Sequence, residues 1–280
     1  EIFKKIAPLR AFLKETRKSG KTIGLVPTMG ALHHGHLALI NASKTQNSIT
    51  VCTIYVNPTQ FNNPADLLKY PRDFEKDAAL LKKVGCEVVF YPSNEEMYEA
   101  ESHLKFDFGH LNTVMEGKFR PGHFSGVALV VSKLFNIVRP DNAYFGQKDW
   151  QQFAIIRQVT EELKFDIALH SVPTLRESDG LAMSSRNLRL NAEQRQHATV
   201  FYRSMMNAKE LFKCGKDIAF VKQKVWEMID NEADTTLEYF EVAESKNLNV
   251  LEFVNGAEMP IMCIAGYVGE VRLIDNMFLK

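Results

Sequence analysis

Lys21-Thr22-Ile23-Gly24-Leu25-Val26-Pro27-Thr28-Met29-Gly30-Ala31-Leu32-His33-His34-Gly35-His36 reads as a short β-rich run over residues 21–26, stopped by Pro27, and then a polar turn containing glycines. Downstream, residues 35–45 carry Leu37, Leu39 and Ile40 at a spacing compatible with a helix. Residues 48–56 form a second, almost uninterrupted apolar run ended by Asn57-Pro58. Strand, turn, helix, strand is a β-loop-α-β unit, and continuous apolar runs of this length mark strands buried on both faces of a parallel sheet.

The alternation continues. Residues 73–84 read as a helix with Leu80, Leu81 and Val84 on one face, 86–91 as a strand, and 124–138 as a helix. Residues 143–145 then read as a short strand, 149–163 as a helix with Asp149 at its N-cap, and 165–172 as a strand. Such an α/β domain binds ligands outside the carboxyl ends of its strands, so the side chains that follow strands are the candidates for chemistry. After Asn187 the texture changes: residues 192–212 and 218–229 read as helices, and 236–243 and 260–268 as strands of a separate small sheet. A second domain is expected from near Glu177, joined by a short hinge because no low-complexity tether intervenes.

Composition narrows the class. A chain of 280 residues corresponds to roughly two domains of ordinary size. With 45% hydrophobic and 24% charged residues it has neither a disordered nor a fibrous composition. Lys and Arg total 34 and Asp and Glu 34, so no net field attracts nucleic acid or an anionic membrane. The longest apolar stretch, residues 127–138, is interrupted by Ser132, Lys133 and Asn136 and is too short for a bilayer span. Residues 1–15 carry no apolar export core, and the expected location is cytoplasmic. Cys52, Cys86, Cys214 and Cys263 have neither disulfide-framework nor zinc-ligand spacing and read as buried thiols.

Four segments carry the chemistry. His33 and His36 put two imidazoles at a helix start, beside Gly35, in an arrangement suited to an anion; the bland alternative is a polar turn that happens to hold histidines. Asn57 and Gln60 follow the second strand with neutral amides that orient polar groups, although Asn and Pro are also common turn formers. Lys148, within Gly146-Gln147-Lys148-Asp149, offers a cation to developing phosphoryl charge or is simply a solvated surface lysine. Met183-Ser184-Ser185-Arg186 joins two hydroxyls to a guanidinium, as a phosphate loop or as a helix cap.

In this order the segments resemble the pantothenate synthetase (pantoate–β-alanine ligase) family of the nucleotidylyltransferase superfamily. The resemblance spans nearly the whole chain. It rests on residues 27–36 and 57–61, Tyr70-Pro71-Arg72, Arg120-Pro121-Gly122-His123-Phe124, Arg139-Pro140-Asp141, and residues 146–152 and 179–187. It departs at Gln147, where the family usually has glutamate. The resemblance implies a Rossmann-like parallel-sheet domain of the HIGH-type nucleotidylyltransferase class over residues 1–176, a smaller α+β lid domain over 177–280, and a homodimer. It also implies a two-step reaction in which ATP and pantoate form pantoyl adenylate and pyrophosphate, and β-alanine then displaces AMP.

By the same resemblance, ATP would contact Met29, Gly30, Ala31, Leu32, His33, His34, Gly35 and His36. Further along the chain it would contact Gly146, Gln147, Lys148, Asp149, Leu175, Met183, Ser184, Ser185 and Arg186. His36, as proton donor, His33, Lys148 and Arg186 would act in catalysis. Gln60, Gln152 and Asn57 would contact pantoate or β-alanine, with Arg120 and His123 nearby. Mg²⁺ would accompany ATP with no assigned protein ligand and with Asp77 as a neighbour; the remaining partners would be small molecules, with no nucleic acid and no membrane. Two alternatives stay open at this point: a transferase releasing a nucleotidylated product, and a nucleotide-binding regulator without turnover.

Overall fold

A computed structural model describes residues 1–279. Strands β1 (Ile2–Phe3), β2 (Ile23–Thr28), β3 (Ile49–Ile54), β4 (Val88–Phe90), β5 (Asn142–Gly146) and β6 (Ala168–Val172) form a six-stranded sheet in the order β1-β4-β3-β2-β5-β6. Every registered pair in it is parallel. The order reverses at β2, which lies between β3 and β5. This is the switch point at which open α/β sheets bind ligands, and the chain leaves it through the segment carrying His33 and His36.

All six residues of β3 are buried, Thr50 and Thr53 included, as its almost uninterrupted apolar run predicts. The sheet's core gathers Val26, Cys52, Ile54 and Val89 from the strands with Leu39, Ile40 and Leu81 from the covering helices His34–Gln46 and Phe74–Lys83. The helix His123–Val138 is buried almost all round, which is why its sequence shows no polar face.

Contacts divide the chain into two compact units, Glu1–Gly146 with Gln152–Pro173, and Gln147–Gln151 with Thr174–Lys280. The expected division after residue 176 thus falls three residues earlier, and the turn after β5 belongs to the second unit. The reason is hydrogen bonding: Asn276 Nδ2 donates to the carbonyls of Gln147 and Lys148, and Trp150 Nε1 donates to Ser245 O. In the second unit β7 (Thr235–Glu244), β8 (Pro260–Val268) and β9 (Val271–Phe278) form an antiparallel sheet. Val242, Met262 and Ile264 pack there with Phe201 and Met205 of the helix Val200–Lys213 and Val221 and Val225 of the helix Ile218–Asp230.

Several local readings need correction. Pro27 does not end β2: it is registered with Thr53 of β3, and it lies past Leu25, the last residue paired with β5, so its missing N–H breaks no ladder on that side. The helix read over 192–212 is two, Ala192–His197 and Val200–Lys213. Between them the Thr199 hydroxyl donates to Gln196 O (2.8 Å) and its N–H to the same carbonyl (3.2 Å), replacing the α-helical pattern. Asp149 closes a 3₁₀ turn, Gln147–Asp149, and immediately precedes the helix Trp150–Glu162, which therefore starts one residue later than read. Cys214 is exposed and Cys86 half-buried, so only Cys52 and Cys263 are buried thiols. Strands β1 and β9 and the helix Ile6–Lys18 are additions to the reading. No helix among the described residues is long and apolar enough to cross a membrane.

Gly126, in the helix His123–Val138, approaches the turn after β3 so closely that an added Cβ would lie 2.2 Å from the Thr59 carbonyl oxygen. Backbone cannot yield as a side-chain tip does, so Gly126→Ala is expected to cost about 1–3 kcal/mol through overpacking. Urea denaturation of the two proteins measures this difference.

Candidate active site

After β2 the backbone makes a tight turn through Gly30 (φ 79°) and Ala31 (φ 51°), two successive left-handed residues of which only the first is glycine. What holds it is Asp77, from the helix Phe74–Lys83. Its Oδ2 accepts from Ala31 N (2.8 Å) and its Oδ1 from Leu32 N (2.7 Å). A Cβ on residue 30 would meet Asp77 Oδ2 at 2.8 Å, so glycine is required for space as well as for conformation. Asp77 is 2% exposed. Burial pushes its carboxyl above the ordinary range, while the two backbone N–H groups pull it back.

The turn delivers His33 as N-cap of the helix His34–Gln46. His33 Nδ1 accepts from Gly35 N (3.1 Å), and His36 Nδ1 accepts from His33 N (3.3 Å), a reciprocal capping box made by two imidazoles. A neutral imidazole carries one N–H, and a nitrogen that accepts cannot bear it, so both rings carry their proton on Nε2. Their centroids are 4.1 Å apart. The amides of Gly35 and His36 are already bonded to His33, so the anion-binding character expected of this helix start rests on the imidazole N–H groups more than on the backbone. His34 is exposed, while His33, His36, Met29 and Ala31 are half-buried.

Gln60 is buried in the turn after β3, where Nε2 contacts Met29 Sδ (3.0 Å) and Oε1 accepts from Asn57 Nδ2 (3.2 Å). His123 Nδ1 lies 2.8 Å from the Gln60 carbonyl. Asn57, expected beside the substrate, is 1% exposed and fully engaged by protein: Nδ2 also donates to Gly126 O, and Oδ1 accepts from Thr59 Oγ1 and Tyr98 OH. It holds Gln60. Gln152 is half-buried in the first turn of the helix Trp150–Glu162, directly beyond β5.

In the second unit, Lys148 lines a small recess with Ser184, Arg186, Asn187, Arg272 and Asp275. Lys148 Nζ is 3.3 Å from Asp149 Oδ1. Ser184 Oγ accepts from Arg186 N, capping the 3₁₀ turn Ser185–Arg189, so the capping reading of this loop holds for Ser184. Leu175 is exposed and its carbonyl accepts from Met183 N (3.0 Å), while an isolated bridge pairs Arg176 with Ala182. Arg176 makes a two-pronged ion pair with the buried Asp275 (2.6 and 3.0 Å) and donates to Gly180 O. Burial pushes the Asp275 carboxyl up, and Arg176 opposes that shift.

Sequence reasoning passed over Asp77 as the loop's anchor, and also Tyr98, Arg176, Asp275 and Asn276. Each acts through a partner far along the chain, which no local spacing signals. No group of three or more His, Cys, Asp or Glu side chains among the described residues is disposed to hold a metal ion, and both Asp77 oxygens bind backbone.

The parallel sheet reversing at β2, with a His-x-Gly-His helix start at its carboxyl end, defines an α/β protein of the HIGH-type nucleotidylyltransferase class. The family described as Pantoate-beta-alanine ligase matches residues 1–278. The chain belongs to that family. It is 46% identical over 280 residues to a pantothenate synthetase of Caldicellulosiruptor bescii, covering 100% of this chain and 99% of the relative. Pantothenate synthetase from Thermus thermophilus superposes with a TM-score of 0.92 at 38% identity, over 100% of this chain and 99% of that one. Pantoate-beta-alanine ligase from Francisella tularensis, complexed with Beta-gamma ATP and Beta-alanine, gives 0.82 at 32% identity, over 99% and 97%.

Asp77→Ala strands the buried Leu32 N–H and the half-buried Ala31 N–H and is expected to destabilise the protein by about 1–3 kcal/mol, whereas Asp77→Asn retains one acceptor and recovers part of the loss. Denaturant titration gives the ranking. Amide hydrogen exchange should show Ala31 and Leu32 losing protection in the alanine variant first.

Proposed function

We propose that the chain condenses pantoate with β-alanine in two steps driven by ATP. A pantoate carboxylate oxygen attacks the α-phosphorus, the bond to the β-phosphate oxygen breaks, and pyrophosphate leaves. The β-alanine amine then attacks the acyl carbon of the adenylate, the bond to AMP breaks, and the nitrogen gives up its proton. The observation that carries this reading is the imidazole capping box of His33 and His36 at the switch point of the parallel sheet.

The charge that develops lies on phosphate oxygens, so fixed donors stabilise it without covalent chemistry. In the first unit these donors are His33 and His36, with residues 29–35 shaping the turn that meets the nucleotide. In the second they are Lys148 and Arg186, with Ser184 and Ser185 as further hydrogen-bonding groups; Gly146, Gln147, Asp149, Leu175 and Met183 complete the ATP contacts. Gln60, oriented by Asn57 and His123, and Gln152 take pantoate. Asn57 then acts through Gln60, since its own polar atoms are spent on protein.

Magnesium meets no fitting protein cage among the described residues, and no step here runs through it; its place in the reading is on the phosphates of ATP. The reading also makes the second unit a lid and the enzyme a cytoplasmic homodimer, the latter checked by sedimentation equilibrium.

ATP and pantoate without β-alanine should release about one enzyme equivalent of pyrophosphate, and β-alanine should then give turnover with AMP, because an acyl adenylate persists where water is excluded. Rapid-quench measurement of pyrophosphate tests this, and release that strictly requires β-alanine would refute the adenylate. Lys148→Ala should slow that first release by about 10²–10³-fold, roughly 2.7–4 kcal/mol. Gln60→Ala and Gln152→Ala should weaken pantoate far more than ATP in calorimetry, and equal losses would displace the pantoate pocket.

A further inference from the structure

The turn that carries Lys148 is clamped by a residue 128 positions later. Asn276, on β9 and 2% exposed, donates from Nδ2 to the carbonyls of Gln147 (2.8 Å) and Lys148 (2.8 Å). Backbone carbonyls only accept, so the amide nitrogen has to face them, and both of its N–H groups are spent. Its oxygen is thereby turned towards Gln147, whose Nε2 donates to it (3.4 Å). A carboxylate at position 147 could not make that bond. It would meet the Asn276 oxygen as one acceptor meets another, and the flip that relieves this clash would turn the Asn276 oxygen onto two carbonyls.

The clamp is anchored on both sides. Asp275 accepts from Asn276 N (2.8 Å) as well as from Arg176, and Arg176 donates to Asn276 O (3.3 Å). On the far side of the turn, Trp150 Nε1 donates to Ser245 O (2.9 Å), and the indole packs edge-on against Phe278 of β9. A lysine side chain has several free torsions, so where its ammonium can reach depends on where its backbone starts and which way that backbone faces. Here the carbonyls on either side of the Lys148 backbone are both held by the carboxamide of Asn276.

We propose that Asn276 is a positioning residue for Lys148, its orientation locked by Gln147, and that the pair fixes the backbone from which Lys148 reaches the phosphates during adenylation. The proposal rests on the part given to Lys148 above.

The test is a double-mutant cycle read by single-turnover pyrophosphate release from ATP and pantoate. Asn276→Ala is expected to slow release by about tenfold or more, with the KM for pantoate changed little, since the lost bonds act on charge stabilisation. In a Lys148→Ala background the same change should cost less than about twofold, because groups acting as a unit are not additive. A merely structural asparagine would lower both backgrounds by the same factor, and that result overturns the proposal. So does full activity in Asn276→Ala. Gln147→Glu, which leaves both backbone carbonyls in place, carries the same cycle if Asn276→Ala does not fold. It should show a smaller loss that again vanishes without Lys148, and an equal loss in both backgrounds rejects the clamp. Lys148→Ala alone separates the two levels: if it leaves release unchanged the part given to Lys148 falls, whereas a large loss there with additive Asn276 effects removes only the positioning role.

Discussion

A buried carboxylate holding two backbone N–H groups is the constraint on which the first unit's site depends. Asp77 keeps Ala31 and Leu32 in a turn that the chain would not hold by itself, since Ala31 has a left-handed backbone that costs a residue with a Cβ about 1–2 kcal/mol. Without that turn His33 would not arrive as N-cap, and the capping box that sets both imidazole tautomers would lose its first member. The same carboxylate accounts for the glycine at position 30, because its oxygen occupies the space a Cβ would need.

The second unit repeats the device with different chemistry. Asp275 is also a buried carboxylate from a distant element, but its partner is a guanidinium, and Arg176 carries the constraint on to the loop through Gly180 O. Its neighbour Asn276 ties down the turn of Lys148. In both units the side chains assigned to chemistry stand on turns, 3₁₀ segments or the first turns of helices, and the rigidity comes from buried polar groups that the regular elements insert beneath them. Removing one such partner leaves the other buried and unsatisfied, so these positions are expected to tolerate substitution poorly although they touch no substrate.

The turn around Gln60 is a third case. Asn57 looked like a substrate contact because it follows a strand and carries an amide, and both features are real. Its amide is nevertheless consumed by Gly126 O, Gln60, Thr59 and Tyr98, two of which belong to segments far along the chain. Gln60 keeps the role expected of it in the proposed function because its neighbours hold it. Pro27 shows the same limit on a smaller scale: as a strand breaker it should have ended β2, but the breaker rule applies only where the missing N–H has a partner to lose.

What the sequence by itself determined was the alternation of strand and helix, the parallel sheet, the small second sheet, and the segments bearing His33, His36, Gln60, Lys148 and Arg186. These are legible because apolar periodicity and turn residues act over a few positions, and because the order of the motifs is specific. Only the tertiary structure decided that Gln147–Gln151 belongs with the second unit, that Asp77 serves backbone, that Asn57 supports Gln60, and that β9 supplies Asp275 and Asn276. Each of these depends on hydrogen bonds between groups dozens of residues apart; even the short Asn57–Gln60 bond is fixed by the bonds of Asn57 to Gly126 and Tyr98. Such a bond leaves no periodic trace, since its energy comes from desolvating a polar pair in one particular packing and not from any local conformational preference.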